Sequence, residues 1–439
     1  MKASSHVFAS DLIEEGYGTV LNRLHDAGLT GVVFAGTYHH ARDIFPHNPI
    51  RKVGFHDGGT TYFRPDPARY SGLRIQPQPS VLTREGDPLG RLLDEARNLG
   101  MDVRVWTNNL HNSTMGERYP DCATRNAFGD LYPYALCPAN PDVRAYVVAI
   151  SADIARYGVT TLIPESVYYQ PFEHGHHHER SHYPYSATVK FLLGLCFCEH
   201  CRAAALTARV DFGRIHGFVR DVLQHVISGE PSALDDLTLD PSVIGAIAGG
   251  EMARFLEVRR AMVTGLVAEI VAALDAIGST RVCVMDWSGG LASYASGQLE
   301  GSRSIDRGWL DGIDATAIAR AGHGLSMLAY THDLDRFRDD VAAYRDAIPS
   351  DRTMSLALRP MPPDCIALDE LDAKLDILRD FEIDWVEFYH YGLLRLTHLA
   401  WVEQALRKLS GARAPSSNAT RVSSAADDPL QTQRSGGSS

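Results

Sequence analysis

The residue most suited to chemistry is Glu165, which follows the apolar run Thr160–Pro164 and precedes Ser166 and Tyr168. A carboxylate at the end of such a run sits at the end of a strand and is partly enclosed. Burial there disfavours the charged form and moves the group toward a general acid at neutral pH. The competing reading is a structural carboxylate bonded to Arg359. Cleavage of a glycosidic bond needs a second carboxylate on the other face of the scissile bond. Asp286 and Glu387 are the candidates. Asp286 is preferred, since it ends a strand and is followed by Trp287 and Gly289–Gly290, whereas Glu387 can point outward or pair with Arg395.

A second grouping is the run Cys196, Cys198 and Cys201, a C-x-C-x-x-C pattern. Thiolates this close are soft ligands for zinc, and a fourth ligand completes a tetrahedral structural site. Cys137, in LCPANP, is the preferred fourth ligand and His200 the alternative; Cys122, Cys283 and Cys365 are further thiols. A third grouping is the loop FEHGHHHER, with His174, His176, His177, His178 and Glu179. Contiguous histidines cannot all face one ion, so a lid bonding substrate hydroxyls is favoured over a structural loop or a transition-metal site.

These residues need elements to position them. Short β-rich runs alternate with amphipathic helix-length segments, the pattern of a parallel sheet with helical crossovers. Strands are predicted at His6–Ser10, Gly31–Gly36, Asp102–Thr107, Thr160–Pro164, Arg281–Asp286, Leu325–Tyr330, Thr353–Leu358 and Asp384–Phe388. Helices are predicted at Gly18–Ala27, Leu89–Leu99, Asp142–Arg156, Ile305–Ala321, Leu334–Ala347, Leu368–Phe381 and Leu396–Leu409. Eight strands each followed by a helix give a (β/α)8 TIM barrel. Residues 1–413 are read as one barrel domain, with long βα insertions after strand 2 (His40 to about Pro88) and after strand 4 (168–278, His- and Cys-rich, then helical). Residues 414–439 have few large apolar side chains and read as a disordered tail.

In such barrels chemistry lies at the C-terminal strand ends. Those ends carry Tyr38, His39 and His40; Asn108, Asn109, His111 and Asn112; Glu165; Asp286 and Trp287; Tyr330 and His332; Arg359; and Glu387, Tyr389 and Tyr391. Carboxylates, amides and imidazoles bond hydroxyls, and flat rings cover the apolar faces of a sugar. The predicted substrate-binding set is therefore Tyr38, His39, His111, Asn112, His176, His177, Trp287, Tyr330, Arg359 and Tyr389.

The order of motifs resembles glycoside hydrolase family 42, the β-galactosidases of clan A. Cys137 with Pro138 and Pro141, then Glu165, then Cys196, Cys198 and Cys201 match that family's order over residues 100–205. The resemblance implies that Glu165 is the acid/base and that the four cysteines hold a structural zinc. Two positions depart from the family pattern. Pro164 stands where the family has Asn before its glutamate, and Arg359 stands at the end of strand 7 where the family has its nucleophilic glutamate. The chain therefore resembles a divergent relative, and the retaining mechanism does not carry over.

The net charge of −12 argues against nucleic-acid or anionic-membrane partners. No stretch reaches the roughly 18 apolar residues of a membrane span, so a cytoplasmic location with reduced thiols is expected. The expected function is hydrolysis of a carbohydrate or glycoside, with structural zinc and no organic cofactor; a homo-oligomer is compatible with the sequence. The alternatives are a metal-dependent barrel isomerase or lyase, and a non-catalytic sugar-binding protein on a hydrolase scaffold.

Overall fold

The computed structural model of the protein describes residues 1–175, 180, 182–230, 238–290 and 301–411. Eight strands form its centre: β1 Lys2–Val7, β2 Gly31–Tyr38, β3 Asp102–Asn108, β4 Thr161–Glu165, β5 Arg281–Asp286, β6 Gly324–Leu328, β7 Thr353–Leu358 and β8 Trp385–Phe388. All pair in parallel in chain order, and β1 pairs both β8 and β2, so the sheet closes on itself. The fold is a (β/α)8 barrel.

Helices surround it: α1 Tyr17–Asp26, α2 Pro88–Asn98, α3 Pro141–Ala155, α4 Glu251–Asp275, α5 Ala315–Ala321, α6 Leu334–Ala347, α7 Leu368–Ile377 and α8 Leu396–Leu409. Their starts are written in the sequence. Asn140 accepts hydrogen bonds from the backbone N–H of Asp142 and Val143, with Pro141 at the first helical position. After α3, Gly158 at φ 75° turns the chain back toward β4. None of the helices is long and apolar enough to cross a membrane, among the described residues.

Three expectations need correction. The first strand is Lys2–Val7, not His6–Ser10. Its Ala-Ser-Ser stretch looks unlike a core strand, but Ser4 and Ser5 are fully buried and paired on both sides. The helix predicted over Ile305–Ala321 is divided into a 3-10 segment, Ser304–Asp311, and α5, because Gly312 takes φ 79° between them. The insertion after β2 is more than a loop: Ala41–Ile44 and Val53–His56 form an antiparallel hairpin, and Thr60–Thr61 adds to β2. The segment after β4 is helical where described, with Ala187–Gly194, Glu199–Thr207 and Phe212–Ile227 ahead of α4.

The barrel interior is unusually polar. Arg104 on β3 and Glu387 on β8 form an ion pair inside it, both with no solvent exposure. Ser326 on β6 donates to Glu387 at 3.3 Å, and Nε2 of His6 on β1 lies 3.4 Å from the same carboxylate. Glu387 thus points inward to Arg104, not outward or to Arg395. Barrel centres are usually filled by branched aliphatic side chains, so this buried charge cluster is a departure with consequences for the site above it.

Candidate active site

Alternation along each strand decides which residues reach the mouth. A cavity of about 420 Å³ opens there, walled by His6 of β1, Tyr38 of β2, Trp106 of β3, Glu165 of β4, Met285 of β5 and Leu328 of β6. Trp287, Tyr330 and Tyr389, which follow β5, β6 and β8, complete an aromatic wall. His39, His40, Arg42 and Asp43 enter from the segment after β2, and His174 from the loop after β4.

Glu165 is partly covered at the cavity wall. Burial pushes its carboxyl up to about 7, against hydrogen bonds from Trp106 and Asn108 that favour the charged form. Trp106 donates its indole N–H to Oε2 at 2.6 Å. The alternative partner Arg359 is engaged elsewhere: it forms a bidentate pair with Asp364, at 2.5 and 2.7 Å, and lies over the Tyr330 ring at 4.3 Å. Arg359 therefore supports the wall without being part of it.

Asp286 does not reach the cavity, which corrects its expected place beside Glu165. Met285 takes the inward position on β5, so Asp286 faces the helix layer. There its carboxylate accepts from the Tyr344 hydroxyl of α6 at 2.8 Å and from the Ser288 N–H at 2.9 Å. Burial raises its pKa. Among the described residues, the carboxylates on the cavity wall are Glu165 and Asp43, and Asp43 lies 3.1 Å from Nε2 of His56.

The predicted sugar-binding residues divide. Tyr38, His39, Trp287, Tyr330 and Tyr389 line the cavity. The Tyr38 and Tyr389 hydroxyls meet at 3.2 Å, and the Trp287 indole N–H donates to Asp311 at 2.9 Å. His111 is one layer back, stacked on His39 with ring centroids 4.7 Å apart. Asn112 is a helix cap: its Oδ1 accepts from the Met115 N–H, and the residue is almost wholly buried. That is a structural role, away from the cavity wall. His176 and His177 lie outside the described residues. His6 and Trp106 belong to the wall but were not foreseen. Trp106 was hidden in the middle of an apolar strand, and His6 by the misplaced start of β1.

The cysteine run folds as its spacing requires. Cys196 and Cys198 precede the helix Glu199–Thr207, Cys201 sits in its first turn, and Cys137 follows the strand Leu131–Leu136. The four sulfur atoms lie within 4.8 Å of one another, all buried and all free thiols. Cys137 is 3.5 Å from Cys201, 3.5 Å from Cys198 and 4.0 Å from Cys196. Sulfur ligands on a tetrahedral ion with bonds of about 2.3 Å are about 3.8 Å apart, so the cluster fits a metal ion. His200 is not among its members.

No family model matches the chain, and no curated protein matches it in sequence. Among solved structures, the β-galactosidase of the psychrophilic Marinomonas ef1 superposes with a TM-score of 0.55 at 12% identity, over 94% of this chain and 61% of that one. The polyextremophilic β-galactosidase of the Antarctic haloarchaeon Halorubrum lacusprofundi gives 0.54 at 12% identity, over 93% and 58%. The chain spans about three fifths of the length of these proteins. The likeness expected from the Cys–Glu–Cys order thus holds for the barrel fold.

Proposed function

We propose that the chain is a carbohydrate-active hydrolase that cleaves a glycosidic bond, with Glu165 as general acid/base. The observation that carries this reading is a carboxyl raised to about 7 on the wall of an aromatic cavity at the C-terminal end of a barrel. A protonated carboxyl at neutral pH can give its proton to the leaving oxygen as the bond to the anomeric carbon breaks. Trp287, Tyr330 and Tyr389 offer apolar faces to a sugar ring, and the histidines of the rim offer bonds to its hydroxyls. Asp43, the other carboxylate on the cavity wall among the described residues, is the candidate second carboxylate in place of Asp286. The fold neighbours named as β-galactosidases support the substrate class. A panel of 4-nitrophenyl glycosides tests the reading. Sugar binding without turnover on any of them would favour the non-catalytic alternative.

The indole N–H of Trp106 stabilises the ionised form of Glu165, so Trp106→Phe should raise that pKa. An acid catalyst works only while protonated, so the rate falls as pH rises through its pKa. The alkaline limb of kcat/KM against pH is therefore expected to move upward by about half to one unit. A limb that stays in place or moves down would count against the assignment.

We also propose that Cys137, Cys196, Cys198 and Cys201 hold a structural zinc. When bound, zinc would tie the β4–α4 segment to the Cys137 loop and take no part in the reaction. The native protein should carry about one zinc per chain, resistant to dilute chelator, and Cys198→Ser should lose it and melt at lower temperature. Elemental analysis and a melting curve read both. Activity that falls with chelator while the fold persists would support the metal-dependent alternative.

A further inference from the structure

His6 is wholly buried and yet on the wall of the cavity. Its Nδ1 completes no hydrogen bond among the described residues, while its Nε2 faces the Glu387 carboxylate. A buried polar atom without a partner calls for an explanation, and on a cavity wall one explanation is a bond supplied by a bound molecule. The ring is held in place by Trp106 and Tyr389, each edge-on with centroids 5.4 Å away. Its Nε2 lies 3.4 Å from Oε2 of Glu387, whose other oxygen is paired to Arg104 at 2.5 Å. Burial would raise the pKa of Glu387, but Arg104 and His6 outweigh it and hold the group at about 2. In the neutral ring, an ionised carboxylate beside Nε2 favours the tautomer with its proton there, which leaves Nδ1 as a lone-pair acceptor.

We propose that Nδ1 of His6 accepts a hydrogen bond from one hydroxyl of the sugar ring seated against Glu165, so that His6 selects for that hydroxyl. The inference rests on the cavity being a sugar site. It deepens that reading by giving the selectivity a sign: the group presented to Nδ1 must be a donor. A deoxy, fluoro or O-methyl sugar at that carbon leaves the nitrogen buried without a partner, and sites of this kind reject such analogues strongly.

The test compares a hydrolysed 4-nitrophenyl glycoside with its set of monodeoxy analogues, in the wild type, His6→Leu and His6→Asn. In the wild type, one deoxy position is expected to cost about 100-fold or more in kcat/KM. In His6→Leu that penalty should shrink to about 3-fold or less while those at other carbons stay the same. His6→Asn, whose amide oxygen can accept, should recover part of it. A uniform fall for every sugar, with all penalties intact, would show a merely structural role and overturn the proposal. If the wild type hydrolyses no glycoside, the hydrolase reading falls, and the same sugars are compared as ligands by calorimetry. His6 is then judged by whether the single-position penalty in Kd disappears in His6→Leu; if no sugar binds, both readings fall. Should neither variant fold, the nitrogen-15 resonance of Nδ1 in the wild-type protein decides. It should move on binding the free sugar and not on binding the deoxy analogue, and no movement with either overturns the proposal.

Discussion

Glu165→Gln is expected to lower kcat on alkyl glycosides by about 10²- to 10⁴-fold while leaving Kd for the sugar within about threefold. The amide has the shape of the carboxyl and can still accept from Trp106, so the cavity keeps its form. What it cannot do is give up a proton to the leaving oxygen. The loss should therefore shrink when the leaving group needs no proton, and a dinitrophenyl glycoside should suffer far less than an alkyl one. The alkaline limb near pH 7 should vanish with the carboxyl. A second effect has the opposite sign. The folded-state pKa of Glu165 is raised from 4.5 to about 7, so its contribution to stability is full below about pH 4.5 and is lost as pH rises through 7. Glu165→Gln removes that dependence, and at pH 8 the variant should be more stable than the wild type by about 1–2 kcal/mol, after allowance for the group's partial exposure to the cavity. Denaturation at pH 5 and pH 8 measures it. Near-normal turnover of an alkyl glycoside by this variant would falsify the assignment.

The barrel was legible because its strands and helices follow their own periods. The spans Arg281–Asp286, Thr353–Leu358, Leu334–Ala347 and Leu396–Leu409 form as predicted. The parity of single residues was less legible. Asp286 and Met285 are neighbours at a strand end, and nothing in VCVMDW says which faces the cavity. Tertiary pairing puts Met285 inward and gives Asp286 to Tyr344. Position along the strand was right, and the face was wrong. Glu165 and Trp106 reach the cavity wall through the same alternation. The polar centre could not be read at all. Arg104 and Glu387 are 283 positions apart, and each alone resembles a charged residue that should be at the surface. Their meeting depends on the closure of β3 and β8 into one cylinder.

That meeting leads to the largest expected effect on stability. Arg104→Met leaves Glu387 with its Oε1 partner removed, in a position with no solvent exposure. Breaking a buried pair from one side costs about 3–5 kcal/mol, because the remaining charge is neither hydrated nor neutralised. The sign of the pH dependence follows from the wild-type carboxyl, which burial would raise but Arg104 and His6 hold at about 2. A depressed folded-state pKa contributes stability above the unfolded value, and that contribution is lost as pH falls toward 2. Without Arg104, burial dominates and the Glu387 pKa rises, so the variant regains stability as acid neutralises the carboxyl. The loss relative to wild type should therefore be larger at pH 8 than at pH 5. Arg104→Met combined with Glu387→Gln should be less destabilised than Arg104→Met alone, since the stranded charge is gone. Urea denaturation of the three proteins at both pH values measures these differences. A loss below about 1 kcal/mol for Arg104→Met at pH 8 would mean that the barrel centre admits enough water to hydrate Glu387. Glu387 would then no longer set the tautomer of His6, and the acceptor assigned to Nδ1 would lose its physical basis.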